Sequence, residues 1–82
     1  MTYREMQIEN GRQTALRIGN MHTTTVEGTG YEFWGDMVMR GTFAMNTETG
    51  EIKRIKESGY IHKDLTVRKA IAAVFGHDTF RK

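Results

Sequence analysis

The residues best equipped for chemistry in this chain are His22, His62 and His77, together with the serine and carboxylates near two of them. His62-x-Asp64 and His77-Asp78 supply ligand types for a divalent cation. A structural metal site needs about four ligands placed by the fold, and this spacing follows no metal motif. Ser58, His62 and Asp64 supply the residue types of a nucleophile–base–carboxylate triad. Triads are defined by geometry, however, and Ser58 before Gly59 reads as a turn, with Asp64 as a helix cap. Gly28-Thr29-Gly30 lacks the third glycine of a dinucleotide loop and the lysine of a phosphate loop, and it joins two expected strands. Glu32 and Asp36 fall on the outward face of one expected strand, and acid–base work needs a cleft that shifts their pKa values. The sequence thus assigns no catalytic, metal or cofactor-binding residue, and the chain is expected to be non-enzymatic with no cofactor.

Two features point instead to binding. Trp34 interrupts a polar strand face, with Val38 and Arg40 further along the same face. Tryptophan is enriched at protein hot spots and at base-stacking surfaces. These three are the expected partner-binding residues, unless the N-terminal segment covers the face and makes Trp34 a second core layer. The other feature is charge. Residues 1–50 hold four arginines and six carboxylates, a net −2, whereas residues 51–82 hold eight cations and four carboxylates, a net +4. Lys53, Arg54, Lys56, Arg68 and Lys69 could neutralise phosphates, though a solvated polar face has the same composition. No helix-turn-helix, zinc finger or aromatic ribonucleoprotein motif accompanies them.

The elements that position these residues are organised around Tyr31 to Ile61. Odd positions from Tyr31 to Met45 read Tyr, Phe, Gly, Met, Met, Gly, Phe, Met, and even positions are mostly polar. That period of two predicts strands with one buried face. A single strand of this length would span about 50 Å at ~3.3 Å per residue, so the run must bend or turn. Gly35 and Gly41 are the places that allow it. A three-residue turn or a bulged continuous strand keeps all odd residues on the core face, and a two-residue turn at Arg40-Gly41 does not. Asn46 to Gly50 reads as the next turn and Glu51 to Glu57 as the returning strand. Ile52 and Ile55 share a face of that strand only across a bulge.

Upstream, two readings compete for residues 1–18. Thr2 and Glu5 form a helix capping box, with Asn10-Gly11 ending a short helix. Asn10-Gly11 is equally a hairpin turn between alternating segments. No continuous apolar stripe supports the helix, so the hairpin is expected. Gly19-Asn20 breaks the chain, His22 to Glu27 suits a strand, and Gly28-Thr29-Gly30 suits a turn. Downstream, Asp64 or Thr66 caps a helix running to about Phe75, with Gly76 past its end. Val67, Ala70, Ile71, Val74 and Phe75 form its stripe, leaving Arg68, Lys69 and Ala72 on other faces.

The expected fold is α+β: a small antiparallel meander of four to six strands with one C-terminal helix packed on one face, in one domain spanning 1–82. The chain has 82 residues, no cysteine and no proline. Disulfides and thiolate metal sites are therefore excluded. No membrane span or export signal is visible, which makes the cytoplasm the default. The expected function is a small protein-binding protein, as a regulator, inhibitor or assembly subunit, with a homodimer possible given the apolar residues on both strand faces. The alternative is nucleic-acid binding through the basic half.

Overall fold

A computed structural model describes residues 2–36, 39–57 and 65–77. Four strands lie in chain order, β1 (His22–Val26), β2 (Thr29–Asp36), β3 (Gly41–Asn46) and β4 (Ile52–Lys56), each antiparallel to the next. A helix lies on each side, α1 (Tyr3–Arg17) before the sheet and α2 (Leu65–Phe75) after it. The α+β meander is as the sequence reads. The second helix is the difference.

The expected N-terminal hairpin is a helix. Both halves of the capping box form: the Glu5 amide donates to Thr2 Oγ1 at 3.1 Å, and the Thr2 amide donates to Glu5 Oε1 at 3.0 Å. The helix runs through Asn10-Gly11 and ends at Ile18, with Gly19 left-handed (φ 77°). There the Asn20 and Gly19 amides donate to the carbonyls of Ala15 and Leu16, a closing pair that satisfies otherwise orphaned acceptors. Helix α2 ends likewise, with Gly76 at φ 84° and the His77 amide donating to the Ala72 carbonyl at 2.8 Å.

The β1–β2 turn is tighter than expected. Glu27 and Gly28 both have positive φ (49° and 82°), so they form a two-residue turn, and Thr29-Gly30 belongs to β2. At the β3–β4 turn, Asn46 Oδ1 accepts from the Glu48 and Thr49 amides, and Gly50 supplies φ 78°.

Between β2 and β3 the faces exchange. Asp36 pairs with Gly41, so four residues connect the strands. An even connection places Phe43 beside Trp34 and Ala44 beside Phe33, and the odd residues of residues 31–45 do not share a face. The physical reason is that both faces are covered, so neither set of side chains has to meet water. On one side α2 buries Val67, Ile71 and Ala72 against Val26, Tyr31, Phe33, Ala44 and Ile55. On the other, α1 lays Ile8 and Ala15 on Trp34 and Phe43, with Met21, Met39, Met45 and Ile52 around them. Ile52 and Ile55 are three apart, so plain alternation puts Ile52 in the α1 layer and Ile55 in the α2 layer, and both isoleucines are inside. Ala72, expected on another face of α2, is buried. Among the described residues, no helix is long and apolar enough to cross a membrane.

Candidate partner-binding surface

Helix α1 has a narrow inward face because small residues bring it close to the sheet. Ile8, Gly11 and Ala15 recur at intervals of three and four, the spacing of one helix face. At Gly11 a Cβ would stand 2.3 Å from Asp36 Oδ2 and 3.6 Å from Trp34 Nε1, so a side chain fits here only if the Asp36 carboxylate moves. Arg12 ties the helix down beside it: its Nε donates to Glu32 Oε1 at 3.0 Å, and its guanidinium lies 3.7 Å from Glu9.

This narrow inward face leaves apolar side chains outside. Tyr3 is 73% exposed, Met6 48%, Leu16 46% and Ile18 69%, and these are the exposed large apolar residues of the described chain. Successive residues turn by about 100° around a helix, so Tyr3 and Met6 share the outward face while Leu16 and Ile18 flank its C-terminal end. Beside Ile18 a groove of ≈ 450 Å³ opens between α1 and the β2–β3 connection, with Gly11, Thr14, Ala15, Asp36 and Met39 in its walls.

Of the residues expected to bind a partner, Trp34 is fully buried. It stacks on Phe43 at 6.0 Å between centroids, and α1 covers it. The covered-layer reading of this residue holds, with a helix as the cover, and its ring is not a surface. Its indole N–H is buried with no hydrogen-bond partner among the described residues. Val38 lies outside the described residues. Arg40 is exposed in the β2–β3 connection, with φ 54°.

The five cations are divided. Lys53 sits on the α2 side, its Nζ 5.5 Å from the Phe75 ring centroid and 3.7 Å from Glu51. Arg54 sits on the α1 side, over Phe43 at 5.5 Å, and donates to the Met39 carbonyl at 3.0 Å. Lys56 is half-buried, and Arg68 and Lys69 are exposed on α2. Lys53 and Arg54 therefore face opposite sides of the sheet, and among the described residues no single basic patch surrounds Trp34.

Of the polar candidates, Ser58, His62, Asp64 and Asp78 lie outside the described residues. Glu32 is engaged by Arg12, and Asp36 Oδ1 accepts from the Met39 amide at 3.0 Å. His77 joins a chain the sequence did not suggest. Its Nδ1 lies 3.1 Å from Glu27 Oε2, and its Nε2 is hydrogen-bonded to the Tyr31 hydroxyl. Burial, and then the negative charges of Glu48, Glu51 and Glu27, raise the Tyr31 phenol above its ordinary pKa. Tyr31 is buried, only 1% exposed. The chain is a clasp fixing the end of α2 to the β1–β2 hairpin. Among the described residues, no three His, Cys, Asp or Glu side chains come together as a metal-binding group.

Compared with protein families, with curated proteins and with solved structures, the chain shows no match.

Proposed function

We propose that this protein acts by binding another protein through the outward face of α1. The observation that carries the reading is the concentration of exposed apolar side chains on that one element and its C-cap: Tyr3, Met6, Leu16 and Ile18. Helix α2 differs, since Val67, Ile71 and Ala72 are spent on the core. Tyr3 and Met6 lie one turn apart on this face, and aromatic and methionine side chains are favoured at the centre of protein contacts. The partner that fits presents an apolar patch to Tyr3 and Met6. The nucleic-acid reading draws less support, because Lys53 and Arg54 are divided between the two sides of the sheet.

The test compares the wild-type chain with Tyr3→Glu/Met6→Glu as bait in quantitative affinity capture. Surface substitutions of this kind change stability by about 0.5 kcal/mol or less, so the unfolding midpoint should hold while a captured partner is lost. A partner retained equally by both baits refutes the reading. Salt-sensitive mobility shifts with oligonucleotides, lost on Lys53→Ala/Lys56→Ala, would replace it with the nucleic-acid alternative.

A further inference from the structure

The two edges of the sheet are built differently. Strand β4 carries Lys53, Arg54 and Lys56 and pairs with β3 through a bulge. Charge and bulges are the devices that stop an edge strand from recruiting another chain. Strand β1 has neither. Its sequence is His-Thr-Thr-Thr-Val, without a lysine, arginine, carboxylate or proline, and its register with β2 is regular throughout. Among the described residues it is the outermost strand on its side.

Its unpaired groups can be named. The two-residue turn at Glu27-Gly28 makes Val26 and Thr29 a hydrogen-bonded pair, and antiparallel pairs alternate between bonded and non-bonded. Thr24–Tyr31 and His22–Phe33 are then bonded, while Thr23–Glu32 and Thr25–Gly30 are not. The Gly30 carbonyl agrees with this assignment: it accepts from the Thr47 amide at 3.1 Å, away from β1. The amides and carbonyls of Thr23 and Thr25 therefore point outward from the sheet edge. Both residues are exposed.

We propose that β1 pairs antiparallel with β1 of a second copy, about a two-fold axis through Thr24, joining two four-stranded sheets into one. Thr23 of one copy then faces Thr25 of the other in bonded pairs, and Thr24 meets its own counterpart between them. The strand is self-complementary: no like charges meet in this register, and threonine–threonine cross-strand pairs are favourable. A two-fold contact of this kind uses the same patch on both copies. An uncharged edge offers nothing to select a charged peptide, which is why a second copy is the occupant. The contact is separate from the outward face of α1 and stands or falls without it.

The test is sedimentation over about a hundredfold range of concentration, paired with amide hydrogen exchange by NMR. A dimer should form as concentration rises. In it the Thr23 and Thr25 amides should exchange at least about tenfold more slowly than in the monomer, whereas Thr24, already paired to β2, should be protected in both. Thr23→Pro/Thr25→Pro removes outward-facing backbone donors and two exposed side chains but no bond to β2, so the monomer should keep its fold and lose the dimer. Thr23→Lys/Thr25→Lys serves if the proline variant does not fold, and it should give the same loss. A chain that stays monomeric at every concentration overturns the proposal. So does a dimer in which the Thr23 and Thr25 amides stay unprotected, or one lost in Tyr3→Glu/Met6→Glu but kept in both threonine variants.

Discussion

Replacing Gly11 with alanine should destabilise the protein, against the ordinary rule for a helix. In a helix interior, glycine to alanine gains about 1 kcal/mol. Here the new Cβ would stand 2.3 Å from Asp36 Oδ2, so the carboxylate must retreat by about 1 Å to reach ordinary contact. Its other oxygen accepts from the Met39 amide at 3.0 Å, and that bond cannot survive the retreat unchanged. Hydrogen bonds to charged groups contribute about 1.5–3 kcal/mol. The net expectation for Gly11→Ala is a loss of about 0.5–2 kcal/mol. In an Asp36→Ala background the obstruction is gone, and the same substitution should gain about 1 kcal/mol. The coupling between the two positions is then about 2 kcal/mol, well above the scatter of a double-mutant cycle. Urea unfolding followed by Trp34 fluorescence measures all four corners, since this single tryptophan lies under α1. A gain of about 1 kcal/mol in both backgrounds would show that Asp36 swings aside freely, and the reasoning that its carboxylate obstructs a side chain at Gly11 would be refuted.

Thr2→Ala should cost about 1 kcal/mol, because it removes the acceptor for the Glu5 amide and dismantles the capping box; thermal unfolding by circular dichroism reads this. Tyr31 makes stability depend on alkaline pH. Its pKa in the fold lies above that of an ordinary tyrosine, raised first by burial. Its contribution is therefore complete below the unfolded pKa and is lost as pH rises through the folded one. Urea titrations at rising pH should show that loss in the wild type and a flatter profile in Tyr31→Phe; matching slopes would mean the phenol does not report on folding.

The sequence made some elements plain and hid others, for identifiable reasons. Helix α2 was legible because Val67, Ile71 and Val74 keep helical spacing and Gly76 marks the end. The turn at Asn46 to Gly50 was legible because asparagine and glycine each do one defined job there. Helix α1 was not. Its inward face is Ile8, Gly11 and Ala15, two of them too small to register as an apolar stripe, and Asn10-Gly11 imitates a hairpin turn. That one misreading propagated. With no helix over the sheet, Trp34 looks like an exposed anomaly and the even residues of β3 look like a solvent face. With the helix in place, Trp34 is core and Phe43 changes sides. The exposed apolar face proposed here as a binding surface was missed with it, because Tyr3, Met6, Leu16 and Ile18 appear as outward residues only on a helix. The capping box at Thr2 and Glu5 was the signal that could have found them.

The meander also sets an order in time. Every strand pairs with its neighbour in sequence, so each hairpin closes over a short loop, and short loops close at little entropic cost. Helix α2 is the exception, since it packs on both β4 and β1 and reaches back across the whole sheet. Contacts of such long sequence separation come late in folding. A truncation at Ile71 should therefore speed unfolding and leave refolding nearly unchanged, while one at Phe43, between two neighbouring strands, should slow refolding. Because α2 follows all four strands in the chain, a nascent chain can complete its sheet before the helix that seals one side of it exists.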